Sequence, residues 1–262
     1  MILLNSLIGL AALVAAILFI AGRRERARRE PLPQSSPLDA GDLLEDRLPW
    51  LARLDIEQRA RFGEQVQRFL RHKRFIGCAG MEITDEMRLL VAGMASLLVL
   101  RPGAAAVPKV KEVLIYPGPF RVPVTEPDEL GLVPDEPEER IGESWQGDRV
   151  ILSWQDVESA LDGDAVNVVV HEFAHQLDDE NGAGDGAPSL ADYTEWAQVM
   201  QSEFDRLRRL RRPRVLDPYG AESPAEFFGV ASEAFFQRGA DLAHHHRRLY
   251  ELLRDYYGFE TA

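Results

Sequence analysis

The segment from Val166 to Asp178, VNVVVHEFAHQLD, carries two histidines and a glutamate at a spacing that can do chemistry. Because residues four apart lie on one face of an α-helix, His171 and His175 can direct imidazole nitrogens at a single ion. Glu172 lies about a quarter-turn round the same helix, where it can act on a water molecule bound to that ion. This HExxH arrangement is typical of a zinc site with a general base beside it.

The residues around the motif distinguish a metal site from the alternative, a surface helix with two histidines on its polar side. The neighbouring residues are strongly apolar: Val166, Val168, Val169, Val170, Phe173, Ala174 and Leu177. Two histidines and a glutamate in such a segment would be destabilising without a polar partner, and a metal ion supplies one. We therefore interpret the chain as a zinc metallopeptidase.

A catalytic zinc ion has three protein ligands, so a third must come from outside the motif. The extended HExxHxxGxxH pattern is absent, because Asp178 and Asn181 occupy the positions of its glycine and third histidine. Glu195 lies twenty residues beyond His175, as in thermolysin-like enzymes. Asp178 is one turn past His175 and could bind the ion or orient a histidine.

Glu226 is the third acid that could complete the site, but its surroundings offer another role. The segment from Ser223, SPAEFF, begins with a typical helix N-cap followed by proline. Ser223 and Glu226 also fit a capping box, in which the glutamate would bond back to the serine backbone. Spacing alone does not choose among Asp178, Glu195 and Glu226.

Four segments resemble the Mlc titration factor A family of zinc-dependent peptidases. They are EVLIYPGPF (112–120), SWQGDRVILSW (144–154), HEFAHQLD (171–178) and YGAESPAEFFGVASEAFF (219–236). The resemblance extends from about Leu43 to Tyr257, and the last two segments also resemble the catalytic domain of anthrax lethal factor. It implies that Glu226 is the third zinc ligand and that Tyr219 is a catalytic tyrosine near the substrate carbonyl. The spacing of Glu233, on the same helical face as Glu226, predicts a supporting role beside the ligands.

The expected reaction is hydrolysis of a peptide bond by a zinc-activated water, with Glu172 transferring protons and Tyr219 stabilising the oxyanion. The alternative is a regulatory protein that binds and sequesters a transcriptional repressor, with hydrolysis secondary. The resemblance implies this second function, because the family is named for binding and inactivating the glucose repressor Mlc. A zinc-stabilised structural domain with four protein ligands is a third interpretation.

The composition limits the kind of site and partner. The chain has 262 residues, 45% of them hydrophobic, enough for one good-sized core or for one core and an anchor. Its formal charge of −13 argues against nucleic acid as a direct partner. The single cysteine, Cys78, excludes an intrachain disulfide and a cysteine-rich zinc site.

The N-terminus predicts a membrane anchor. Residues 2–21 are almost entirely apolar, and a helix of twenty residues spans roughly 30 Å, the thickness of a hydrocarbon core. The following RRERARRE, residues 23–30, is typical of a cytoplasmic flank. We therefore expect a transmembrane helix at 1–22, a basic and Pro/Ser-rich tether at 23–42 and a zinc metallopeptidase domain at 43–262. The expected location is the inner membrane, single-pass, with the catalytic domain in the cytoplasm.

The remaining patterns predict an α+β fold, a mainly helical zincin-like domain with a small sheet beside the metal helix. We expect helices in 43–74 (broken near Leu54 and Asp55), 84–100, 193–212, 223–236 and 241–257, strands at 112–116 and 149–154, and an exposed loop at 125–140. The strand at 149–154 could pair with an extended substrate or be an ordinary core strand. Three consecutive histidines, His244, His245 and His246, are expected at the surface.

Overall fold

The structure is a computed structural model that describes residues 37–104, 109–122, 138–140, 142–145, 148–182 and 184–262. The predicted membrane span at 1–22 lies outside the described residues, as do residues 123–137 of the predicted acidic loop. None of the described helices is long and apolar enough to cross a lipid bilayer.

The described residues form nine α-helices joined by short 3-10 turns and strands. The helices are α1 (Pro37–Arg47), α2 (Ile56–His72), α3 (Asp85–Leu97), α4 (Trp154–Leu161), α5 (Val168–Asp178), α6 (Thr194–Arg209), α7 (Pro224–Gln237), α8 (Gly239–His245) and α9 (Arg247–Tyr257). The 3-10 turns are Pro49–Arg53, Asp179–Asn181 and Pro218–Ala221. Helix α1 begins inside the stretch predicted to be a tether.

Two of the predicted helix starts are capped as their residue types suggest. The Asp55 carboxylate accepts a hydrogen bond from the Gln58 backbone N–H at 2.8 Å, and the Gln58 side chain accepts one from the Asp55 N–H. This capping box confirms the predicted break near Leu54 and Asp55. The Thr84 hydroxyl accepts a hydrogen bond from the Met87 N–H at 3.1 Å and starts α3, which is almost entirely buried.

Within the described ranges, six short strands form two sheets. They are β1 (Arg74–Gly77), β2 (Glu112–Tyr116), β3 (Phe120–Val122), β4 (Glu138–Arg140), β5 (Gly142–Trp145) and β6 (Arg149–Ser153). The larger sheet has the order β1-β2-β6-β5, in which β1, β2 and β6 are parallel and β5 is antiparallel to β6. Strands β3 and β4 form an antiparallel pair, so residues 138–140, expected to be loop, are strand.

The position of β6 decides between its two predicted roles. Because β6 is hydrogen-bonded to β2 on one side and to β5 on the other, its backbone has no free edge for a substrate. The sheet order therefore confirms that β6 is a core strand and excludes the alternative, in which β6 pairs with a substrate. The strand ends at Ser153, whose hydroxyl accepts a hydrogen bond from the Asp156 N–H at 3.4 Å and caps α4.

Helix α5 lies at the centre of the molecule, packed against α7 on one side and against α3, β5 and β6 on the others. Its apolar residues Val169, Phe173 and Ala174 are fully buried, and the Phe173 ring lies 5.5 Å from that of Phe69. Burial on every side but the one that carries His171 and His175 explains why the sequence of α5 is largely apolar rather than amphipathic. The architecture confirms the predicted α+β class, mainly helical with a small sheet.

The C-terminal helix predicted at 241–257 is two helices, α8 and α9, separated at His246. The backbone there leaves helical geometry, with φ of −137°. His246 is buried, and its Nδ1 lies 2.7 Å from the Glu203 carboxylate. The prediction that all three histidines lie at the surface is therefore wrong for His246, whereas His244 and His245 are exposed.

Candidate metal centre

The HExxH segment forms α5, as predicted, and the helix has a defined start. The Asn167 side chain accepts a hydrogen bond from the Val170 N–H at 3.1 Å and caps the helix. His171 and His175 then lie one turn apart on the same face, with their Nε2 atoms 3.1 Å from each other. Both imidazoles therefore point at one place.

Glu226 brings a carboxylate to that place from α7. The Ser223 hydroxyl accepts a hydrogen bond from the Glu226 N–H at 3.1 Å, so the predicted N-cap is confirmed. The Glu226 carboxylate points at the histidines: its Oε2 lies 3.0 Å from Nε2 of His171 and 3.4 Å from Nε2 of His175. Of the two roles that the spacing left open for Glu226, capping-box partner of Ser223 or metal ligand, the direction of its carboxylate favours the ligand.

The three side chains fit a metal ion in both chemistry and distance. Ligand atoms placed tetrahedrally at about 2.0–2.1 Å from zinc lie roughly 3.3 Å apart. The separations here are 3.0, 3.1 and 3.4 Å, and the side chains of His171, His175 and Glu226 keep 12%, 17% and 22% of their surface exposed. Within the described ranges, these residues form the one group of three or more histidines, cysteines or acids close enough to share an ion.

Asp178 and Glu195, the two other acids considered from spacing, have different positions. The Asp178 carboxylate accepts hydrogen bonds from the backbone N–H groups of Gly186 and Ala187 at 2.9 and 2.8 Å. Burial raises the pKa of Asp178, and these two bonds oppose that shift. Asp178 therefore fixes the loop after α5. Glu195 is exposed in the first turn of α6 and is not part of the group.

Glu172 and Tyr219 lie beside the group. Glu172 follows His171 on α5 and is buried. Tyr219 lies in the 3-10 turn Pro218–Ala221, which starts where the Asp217 carboxylate accepts a hydrogen bond from the Tyr219 N–H at 2.8 Å. Tyr219 is 47% exposed, and its ring centroid lies 6.1 Å from that of His171. Glu172 is thus a buried neighbour of His171 in the chain, whereas Tyr219 lies near the His171 ring and is partly exposed to solvent.

The charges around the group favour a cation. Burial alone lowers the pKa of His171, but hydrogen bonds to Glu226 and Glu233, with the negative charges of Glu233 and Glu172, raise it to about 10. Burial works against ionisation of Glu226, yet its hydrogen bonds with His171 and His175 hold its pKa well below the usual range. A metal ion held by these residues would take the place of a proton on His171.

Gly229 is a residue of the site that the sequence reasoning did not identify. It lies on α7 between Glu226 and Glu233, and a β-carbon there would lie 2.7 Å from Cε1 and 2.8 Å from Nδ1 of His171. The available signal was a glycine inside an otherwise helical pattern, which often marks close packing. The backbone of α7 thus forms a wall against the His171 ring.

Comparison with known proteins gives consistent matches over most of the chain. The model of the family described as glucose-regulated metallo-peptidase M90 matches residues 20–258. An uncharacterized protein of Synechocystis is 39% identical over 98% of both chains. Mlc titration factor A of Pectobacterium atrosepticum is 34% identical over 80% of this chain and 82% of its own, and that of Yersinia pestis is 35% identical over 72% and 73%. These matches confirm the resemblance seen in the motifs, and the chain belongs to the glucose-regulated metallo-peptidase M90 family.

Proposed function

We propose that this protein is a zinc-dependent peptidase in which His171, His175 and Glu226 hold the zinc ion. The proposal is carried by the convergence of two imidazole nitrogens and one carboxylate oxygen, from two helices, within 3.4 Å of one another. A structural zinc site has four protein ligands, whereas a catalytic site has three and keeps a position open. The group of three found among the described residues favours the catalytic kind.

A bound zinc ion would supply Lewis acidity, which acidifies water and polarises a carbonyl group. Glu172 accepts the proton of the attacking water and passes it to the leaving amine. Tyr219 donates a hydrogen bond from its hydroxyl to the carbonyl oxygen as negative charge develops there. The 47% exposure of Tyr219 supports this role because a substrate must approach from the solvent side.

The substrate in this proposal is a peptide or protein at the cytoplasmic face of the inner membrane. The apolar residues 2–21 and the five arginines in 23–30 support the tethered location. The excess of acidic residues, 43 against 30 lysines and arginines, supports a partner other than nucleic acid.

The relatives favour a second candidate function. The proteins of Pectobacterium atrosepticum and Yersinia pestis are named Mlc titration factor A. Their name supports a regulatory role in which this chain binds and sequesters a transcriptional repressor, with hydrolysis secondary. Both functions can use the same domain, so an experiment must separate the chemistry from the binding.

Glu172→Gln separates them, because the amide keeps the shape of the side chain but cannot accept the proton. We expect the full chain with this change to keep its zinc and lose turnover by about 10²–10⁴-fold. Glu195→Gln, a change at an exposed acid outside the group, is the control and should cleave a peptide library as the wild type does. If Glu172→Gln cleaves at the wild-type rate, the proposed mechanism fails. If it loses cleavage but keeps its full cellular effect, the binding function is the principal one.

A further inference from the structure

The ring of His171 lies along one face of α7 and contacts that helix at three points. Its Nε2 lies 3.0 Å from the Glu226 carboxylate, its edge packs against the backbone at Gly229, and its Nδ1 lies 2.6 Å from Oε1 of Glu233. These three positions are three and four residues apart, so they share one helix face. A single helix therefore places one carboxylate at each nitrogen of this imidazole.

Glu233 uses both of its carboxylate oxygens. While Oε1 faces His171, Oε2 accepts a hydrogen bond from the backbone N–H of Asn167 at 2.6 Å. The Glu233 side chain is buried, and Asn167 is the residue that caps α5. One carboxylate of α7 thus binds both the start of the HExxH helix and the first histidine on it.

An ionised carboxylate can only accept hydrogen bonds, so the nitrogen facing Oε1 must carry the proton. The other ring nitrogen, Nε2, is the one that faces Glu226 and His175. A neutral imidazole with its proton on Nδ1 has its lone pair on Nε2, where a metal can bind. The contact of Nδ1 with Glu233 therefore favours the tautomer that the metal group needs, and a metal ion at Nε2 would take the place of the proton between Nε2 and Glu226.

We propose that Glu233 is a positioning residue of the metal centre, which holds the proton on Nδ1 of His171 and leaves Nε2 to bind the ion. The inference rests on the proposed function, since it assumes that the group binds zinc. Glu233 is not among the three residues that would hold the ion; it acts through His171, and through Asn167 it also fixes where α5 begins relative to α7.

Glu233→Gln tests this role with little change in volume. The carboxamide has one accepting oxygen and one donating NH₂ group, so it cannot accept from both Nδ1 of His171 and the Asn167 N–H. We expect the dissociation constant for zinc, measured on the full chain by competition with a chelator, to rise by about 10–100-fold.

Ser232→Ala is the matched control, because it removes buried hydrogen bonds from the neighbouring residue of the same helix. The Ser232 hydroxyl lies 2.6 Å from the Tyr257 hydroxyl and donates to the Phe228 carbonyl at 2.7 Å, away from the metal group. This change should lower the melting temperature of the metal-free protein and leave the zinc dissociation constant unchanged. If Glu233→Gln behaves like Ser232→Ala, Glu233 has only a structural role and the proposal is overturned.

Nitrogen-15 NMR of the zinc-loaded wild type gives a test that needs no variant. We expect His171 to carry its proton on Nδ1 and to bind zinc through Nε2, and binding through Nδ1 would overturn the proposal. Zinc binding by the wild type and by Glu233→Gln distinguishes failure of the proposed function from failure of the positioning role. A wild type that binds no zinc refutes the proposed function, whereas a wild type that binds zinc with an affinity insensitive to Glu233→Gln refutes only the positioning role.

Discussion

Gly229 and His171 are in contact, so that the backbone of one helix forms a wall against the first histidine of the other. A β-carbon on Gly229 would lie 2.7 Å from Cε1 of His171, closer than two carbon atoms can approach. The ring has little freedom to move away, because Glu226 and Glu233 contact its two nitrogens at 3.0 and 2.6 Å. The packing of α7 on α5 is therefore part of the metal centre.

Gly229→Ala tests this contact. The added methyl group should force the ring or the helix to shift, destabilising the protein by about 1–3 kcal/mol and weakening zinc binding. Urea unfolding and a chelator competition measure the two effects. Gly63→Ala is the control: Gly63 is exposed on α2 with nothing within 4 Å of the new carbon, so alanine should stabilise the protein by roughly 0.5–1 kcal/mol. Wild-type stability and zinc affinity in Gly229→Ala would refute the contact.

Tyr219→Phe should keep the zinc and lose turnover. Loss of one hydrogen-bond donor to a developing oxyanion lowers the turnover rate by about 10²–10³-fold. The measurement is the cleavage rate of a peptide at saturating concentration, with metal content determined in parallel. Tyr193→Phe removes another exposed tyrosine hydroxyl, one that accepts a hydrogen bond from the Leu190 N–H at 3.2 Å, and should retain full turnover. Equal rates for the two variants would exclude a catalytic hydroxyl at Tyr219.

The lowered pKa of Glu203 predicts that the free energy of unfolding falls at acid pH. Burial raises its pKa, but the hydrogen bond and charge of His246, with Arg206, lower it below the ordinary 4.5. Since the folded protein binds this proton less readily than the unfolded chain, the contribution to stability is complete above about pH 4.5 and is lost as the pH falls through the folded-state pKa.

Urea unfolding between pH 3 and 7 measures this effect. Glu203→Gln should be less stable than the wild type at pH 7, by about 1–3 kcal/mol because His246 loses a buried partner, and the difference should shrink toward pH 3. Glu251→Gln removes the exposed pair with Arg247, 2.9 Å apart, and should follow the wild-type curve. A constant difference between Glu203→Gln and wild type over this range would contradict the role given to the Glu203 carboxylate.

The local features of the site could be predicted from the sequence because they depend on neighbouring residues. The apolar run around His171 and His175 identifies a buried helix, and Ser223 followed by Pro224 identifies the start of α7. The choice among Asp178, Glu195 and Glu226 could not be made from spacing, since it depends on how α7 packs against α5. Only that packing turns Glu226 toward the histidines and away from the Ser223 backbone.

One open alternative and one wrong prediction have the same physical origin. The pattern of β6 was compatible with an edge or a central strand, and the sheet order, which depends on distant segments, makes it central. A continuous helix over 241–257 would place the three histidines at 244–246 at the surface, and that prediction is wrong for His246. The backbone leaves helical geometry at His246, which directs that side chain inward to Glu203. Tertiary contacts decided both outcomes.

Metal content is the most direct test of the central claim, that His171, His175 and Glu226 together hold one zinc ion. The full chain, the Glu226→Ala variant and the Glu195→Ala variant should be purified without added metal, and their zinc content measured by elemental mass spectrometry. We predict about one zinc ion per chain for the wild type and for Glu195→Ala, and loss of zinc from Glu226→Ala, because three ligands are required to retain it. Full zinc content in Glu226→Ala, or none in the wild type, would contradict the account.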